Sequence, residues 1–78
     1  MQKVYVTESG YYDERGGFHG TGVIGVDLSP RLAVCYPIRR GFNRHRMYYH
    51  STRNIILYKR PDSSEGLRLT VITTSPAL

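Results

Sequence analysis

LRLTVITT, residues 67–74, alternates apolar and polar side chains, which is the pattern of a half-buried β-strand. We expect Leu67, Leu69 and Val71 to face the core and the polar residues between them to face away. Working back from this strand, the same period of two recurs in further segments, which we expect to be strands: Gln2–Thr7, Gly22–Leu28, Arg31–Ile38, Arg44–Ser51 and Asn54–Arg60. The sequence therefore predicts an all-β protein, a small antiparallel meander curled into a barrel or a two-layer sheet.

One of these segments is also compatible with a helix. Ser29 and Pro30 can supply an N-cap and a first-turn proline, although Pro37 would stop such a helix within two turns. A short helix near residues 30–36 therefore stands as the alternative to a strand there.

The first two predicted strands are separated by the glycine-rich residues 8–20, which we expect to form a long surface loop. A flat sheet of these strands would leave one face bare. We therefore expect either closure of the sheet or a homodimer.

Length and composition limit the class of protein. The chain has 78 residues and 8.9 kDa, so residues 1–78 should form a single small β domain, and 40% hydrophobic residues favour a folded chain over a disordered one. No apolar run approaches the roughly 18 residues of a membrane span, and the N-terminus lacks the apolar centre of a signal peptide. A lone cysteine, Cys35, cannot form an internal disulfide. We expect a cytoplasmic protein with no membrane partner and no cofactor.

Positive charge is concentrated in the middle of the chain. Residues 28–61 contain eight arginine and lysine side chains and no acid, whereas residues 1–27 contain four acids and two bases. The net charge is +5. Arginine forks onto phosphate or carboxylate oxygens better than lysine does, so this region predicts an anionic partner.

The leading candidate site is a nucleic-acid surface in this basic region. In an uninterrupted strand, Arg44, Arg46, Tyr48 and His50 share one face, which suits phosphates and a stacked, unpaired base. The alternatives are a solvated arginine face above packed tyrosines and a surface for an acidic protein. The predicted nucleic-acid-binding residues are Arg39, Arg40, Arg44, Arg46, Tyr48, His50, Arg53, Lys59 and Arg60.

A second candidate is a protein-contact loop. Residues 10–20 combine glycines with Tyr11, Tyr12 and Phe18, and such aromatics give contact area at low entropy cost. A disordered hairpin tip is the alternative.

Catalytic and metal-binding patterns are weak. We expect no metal site because His19, His45 and His50 are scattered without nearby carboxylates. Cys35 lies in an apolar segment, where a thiol is usually inert.

One ribonuclease interpretation stays open. Metal-free RNA cleavage needs an acid, a base and cations, and His45, His50, Glu14, Tyr48 and Arg46 are suitable residue types. The arginine-rich residues 46–60 followed by the aliphatic residues 67–72 also resemble the closing hairpin of RelE/ParE-type toxins. That resemblance implies an endoribonuclease toxin.

Together these patterns favour a small, basic, non-enzymatic binding module of the bacterial or phage accessory type. We expect its ligand to be RNA or another single-stranded nucleic acid. The main alternative is an inhibitor or adaptor, of the kind encoded by phages and mobile elements, that docks on an acidic surface of a larger protein or nucleoprotein complex.

Overall fold

Five strands and one helix make up residues 2–74, the part of the chain that this computed structural model describes. The elements are β1 (Gln2–Tyr12), β2 (Phe18–Asp27), α1 (Pro30–Arg39), β3 (Asn43–Tyr49), β4 (Arg53–Lys59) and β5 (Glu65–Thr74). The strands form one antiparallel sheet in the order β2-β1-β5-β4-β3. The predicted all-β class with a short helix is confirmed, but the sheet is open and does not close into a barrel.

The topology is not a simple meander. After the β1–β2 hairpin, α1 carries the chain from one edge of the sheet to the other, and β3, β4 and β5 then return toward the centre. β5 completes the sheet by pairing with both β4 and β1. The helix crosses one side of the sheet, here called the covered face, and leaves the opposite side, the open face, without a helix.

The main hydrophobic core lies between α1 and the covered face. Leu67, Leu69 and Val71 of β5 point into it, as the alternation of LRLTVITT predicts. They pack with Tyr5 and Tyr58 from the neighbouring strands and with two residues from outside the sheet, Ala33 and Phe42. Leu69 and Tyr58 are 0% and 1% exposed, so the centre of the sheet is tightly enclosed on this side.

The predicted strand Arg31–Ile38 is wrong, and the helical alternative is correct. α1 begins after Ser29 with Pro30 in its first turn and buries Ala33 and Pro37, four residues apart, on the side that faces the sheet. Pro37 does not stop the helix, because it lies in the last turn, and its carbonyl accepts the Phe42 N–H at 2.9 Å. In the described part of the chain, no helix has the length and apolar character that a membrane crossing requires.

The long irregular loop predicted for residues 8–20 is also wrong. β1 continues to Tyr12 and β2 starts at Phe18, so only five residues connect them. Asp13 organises this turn, since its Oδ1 accepts hydrogen bonds from the N–H groups of Arg15 and Gly17 at 2.9 and 2.8 Å.

Candidate nucleic-acid interface

A β-bulge in β3 determines which arginines share a face. The pairing of β3 with β4 shifts between Arg44 and Arg46, so His45 is an extra residue with no partner. Arg44 lies opposite Tyr58, whose side chain is in the core, whereas Arg46 lies opposite Leu57 on the open face. The prediction that Arg44 and Arg46 share a face is therefore wrong. The prediction that Arg46 and Tyr48 share one holds.

The open face of β3 and β4 gathers several of the predicted binding residues. Tyr48 lies opposite Ile55, and the same face of β4 carries Arg53 and Lys59 by strand alternation. The Tyr48 side chain is 43% exposed. We call this set the β3–β4 surface: Arg46, Tyr48, Arg53 and Lys59.

The β3–β4 surface has uncompensated positive charge. In residues 2–74, none of its three cations lies within 4.0 Å of a carboxylate. At the end of the sheet where β3 turns into β4, a groove of about 340 Å³ is lined by His50, Thr52, Arg53 and Ile55. His50 thus lies beside this surface, although it follows the end of β3.

The other predicted arginines lie elsewhere. Arg39 and Arg40 are at the end of α1, where the Arg40 guanidinium stacks 5.4 Å from the centre of the Tyr36 ring. Arg44 lies on the covered side near the Tyr58 hydroxyl. Burial raises the pKa of Tyr58, and the Arg44 charge lowers it in part.

Arg60 has a structural role. Its Nε donates to Glu65 Oε2 at 3.0 Å, its Nη1 donates to the Arg40 carbonyl at 2.7 Å, and its guanidinium lies 4.3 Å from the centre of the Phe42 ring. This side chain joins the end of α1 to the β4–β5 turn. Because these contacts already occupy its guanidinium group, Arg60 is a poor candidate for a ligand contact.

Three aromatic rings form a row across the open face at the opposite end of the sheet. The Tyr12 ring centre lies 5.4 Å from that of Phe18 and 5.3 Å from that of His45, both edge to face. Tyr12 also donates its hydroxyl proton to the Tyr58 carbonyl at 2.9 Å, and burial raises its pKa. This aromatic row was missed by sequence reasoning, although glycines inside strands at Gly10 and Gly66, where the rings cross the backbone, were a signal for it.

The predicted protein-contact loop is therefore largely packed against the sheet. Tyr12 is only 6% exposed, and Phe18 is half-buried beneath the Arg68 guanidinium. Tyr11 alone of the three predicted residues is widely exposed, and it stacks on His19 with ring centres 5.1 Å apart. His19 is held in turn by Asp13, at 2.6 Å, and this hydrogen bond lowers the pKa of Asp13.

A salt bridge crosses the open face beside the aromatic row. Arg68 binds Glu8 through two hydrogen bonds, with Nε–Oε1 and Nη2–Oε2 distances of 2.9 and 2.8 Å. The hydrogen bonding to Arg68 lowers the pKa of Glu8. Because this pair is neutral overall, the net positive charge of the open face lies on β3 and β4.

The residue types suited to RNA cleavage are dispersed. His45 contacts Tyr12 at one end of the sheet, whereas His50 lies at the β3–β4 turn, about 16 Å further along the chain. Glu14 lies in the β1–β2 turn. Cys35 is half-buried on α1 rather than in a strand. Across residues 2–74, no three side chains of the types that bind metals come together.

On the β3–β4 surface, exposed aromatic area coincides with positive charge that has no carboxylate partner among residues 2–74. Comparisons with known proteins found no matching family model, no matching curated protein and no matching solved structure.

Proposed function

We propose that this protein is a non-enzymatic binding module that holds RNA or another single-stranded nucleic acid on the β3–β4 surface. The observation that carries the proposal is the position of Tyr48. Its exposed ring stands on the open face two residues from Arg46 on the same strand, about 7 Å along β3. A sheet that presents an aromatic ring to solvent can stack an unpaired base, and flanking cations can neutralise the adjoining phosphates.

Charge supports an anionic ligand on this face. Arg46, Arg53 and Lys59 line the surface, and the open-face acid described above, Glu8, is paired with Arg68. The shallow groove beside Arg53 gives room for a phosphate or a base at the end of the surface. A net charge of +5 adds a long-range attraction for a polyanion.

A second candidate, protein docking, is favoured by one observation. Val23 and Val26 of β2 are 58% and 61% exposed on the open face, at the side remote from β3. Exposed apolar patches often mark protein contacts. An inhibitor or adaptor would use this patch as its anchor and the β3–β4 surface to approach an acidic partner. A homodimer would bury the same valines.

The test is fluorescence anisotropy with a mixed-sequence RNA of about 15 nucleotides, between about 50 and 300 mM salt. If three cations contact phosphates, the logarithm of affinity should fall against the logarithm of salt with a slope near −2. Arg46→Ala and Arg53→Ala should each make the slope about 0.7 shallower. Arg31→Ala, the same charge change at the start of α1, is the control and should alter the slope less.

Tyrosine variants test the stacking contact. Tyr48→Ala should cost roughly 1–3 kcal/mol of binding without a change of slope, because stacking releases no ions. Tyr49→Ala is the matched control, since Tyr49 is 67% exposed but faces the other side of β3. Equal losses for the two variants would contradict the proposal. So would an absence of binding at low salt with tens of micromolar protein, and in that case the protein-docking candidate takes its place.

A further inference from the structure

A groove of about 340 Å³ lies on the covered face between α1 and the first two strands. Its floor includes Thr7 and Gly25, which face each other across the β1–β2 pair. Elsewhere the covered face fills the space beneath α1 with tyrosine, leucine and valine side chains. The groove exists because two small residues pair where large apolar residues would otherwise pack.

Gly25 is not required by the backbone. Among residues 2–74 the glycines with positive φ are Gly16 and Gly41, so the backbone conformation of Gly25 does not require glycine. A Cβ atom built on Gly25 would meet no atom within 4 Å. Glycine in a strand interior is less stable than a β-branched residue. At this position, therefore, glycine has the effect of keeping the groove open.

The groove has an apolar body and charged ends. Leu32, Cys35 and Tyr36 line its α1 side, and Arg39 lies at the end of the helix. Asp27 lies at the other end, just before α1 begins. In the described chain Arg39 has no carboxylate within 4.0 Å.

The surrounding charge favours an anion over a cation. α1 carries Arg31 and Arg39, Arg40 follows it directly, and the helix contains no acid. Asp27 would repel a second negative group at its end of the groove. A volume near 340 Å³, an apolar lining and a few polar groups at the ends are typical of small-molecule sites.

We propose that this groove binds a small amphipathic monocarboxylate. The apolar body of the ligand lies over Gly25 and against Leu32, and its carboxylate pairs with the guanidinium of Arg39. The site is on the opposite side of the sheet from the β3–β4 surface, so it does not depend on nucleic-acid binding.

Octanoate is a suitable probe, with octanol and octylammonium as matched ligands that differ in the head group. We expect octanoate to shift the backbone amide NMR signals of α1 and of β2 near Gly25, and to slow the reaction of the Cys35 thiol with a thiol reagent. Octanol should bind at least about tenfold more weakly, because it lacks the charge that pairs with Arg39. Octylammonium would pair with Asp27 instead, so its binding should not be weakened by Arg39→Ala.

Two variants locate the site. Gly25→Val fills the groove and should weaken octanoate binding by at least about tenfold. Gly22→Val is the control, since Gly22 is also in β2 and has open space around it but does not line the groove. Arg39→Ala should weaken octanoate but leave octanol unchanged, which gives a second readout if Gly25→Val fails to fold.

The proposal is overturned if millimolar octanoate causes no shifts in α1 and β2, or if Gly25→Val binds it as the native protein does. Equal binding of octanoate and octanol would also overturn it, because the proposed role of Arg39 would then be wrong.

Discussion

At the scale of single residues, the contact between Tyr12 and Gly66 is a packing feature of the open face that tolerates no side chain at position 66. The Tyr12 ring crosses β5 directly above Gly66, where any Cβ atom would collide with it. The ring position in turn allows the hydrogen bond to the Tyr58 carbonyl and the contact with His45. Because Gly66 has no side chain, Tyr12 of β1 can reach across β5 and contact β4 and β3.

We predict that Gly66→Ala lowers the free energy of unfolding by about 1–3 kcal/mol, because the Tyr12 ring must move off the sheet. For a domain of this size that corresponds to a fall in Tm of roughly 4–8 °C per kcal/mol. Gly22→Ala, in open space on β2, is the control and should change Tm little or raise it slightly. Thermal unfolding followed by circular dichroism measures both variants, and equal Tm values would contradict the packing role of Gly66.

The Glu8–Arg68 pair predicts a dependence of stability on pH. Hydrogen bonding to Arg68 lowers the pKa of Glu8 below its ordinary value of 4.5 in the folded protein. A carboxyl with a lowered folded pKa stabilises the fold above its unfolded pKa, and this contribution is lost as the pH falls through the folded value.

We therefore expect Glu8→Gln to be less stable than the native protein at neutral pH and to lose less stability between neutral pH and about pH 3. Denaturant unfolding at a series of pH values measures this difference. Glu14→Gln is the control, since Glu14 is exposed in the β1–β2 turn and belongs to no salt bridge among residues 2–74. Parallel pH profiles for the native protein and Glu8→Gln would show that the pair contributes nothing.

At the scale of elements, the end of α1 depends on Gly41. This residue adopts φ of +84°, a left-handed conformation that turns the chain from the helix toward β3. Its N–H donates to the Ile38 carbonyl, and Phe42 then enters the core directly after the turn.

We predict that Gly41→Ala destabilises the protein by about 1–2 kcal/mol, the cost of a left-handed conformation for a residue with a Cβ atom. Gly41→Asn should cost less, because asparagine tolerates this conformation better. Denaturant unfolding of the two variants decides the matter. If alanine were tolerated as well as asparagine, the left-handed turn would not limit stability.

The elements also show how far the sequence predicts this fold. The core-facing alternation of β5 and the general positions of β3 and β4 follow from their period of two. The helix was harder to recognise, because residues 32–36 form a continuous apolar run that also suits a buried strand, and Pro37 argues against a helix. Tertiary packing favours the helix over a strand, because a helix places Ala33 and Pro37 on one side, where both are buried against the sheet.

The candidate site was only partly predictable for a similar reason. Tyr48 and Arg46 could be placed on one face from their spacing alone. The bulge at His45 could not be foreseen, because it depends on the register between β3 and β4 and has no local sequence pattern. The same shift sends Arg44 to the covered face and brings His45 against Tyr12.

At the scale of the whole molecule, stability should be graded across the sheet. β5 is bonded to strands on both sides and contains Leu69, which is fully buried, whereas β2 is an edge strand with mostly exposed residues. We predict that amide hydrogens of β5 that bond to β1 and β4 exchange most slowly, and that those of β2 that bond to β1 exchange faster. Hydrogen exchange followed by NMR measures this order, and equal protection of β2 and β5 would contradict it.

The pairing of β1 with β5 has a consequence for how the protein is made. Gln2 faces Thr74 in the register, so β1 is joined at the centre of the sheet to β5, which among the described strands lies farthest from it along the chain. During translation, the β1–β2 hairpin and α1 are synthesised before β5, the strand that joins β1 to β4 in the sheet. The nascent chain therefore exposes one side of β1 until β5 has left the ribosome, and the complete sheet forms only after that point.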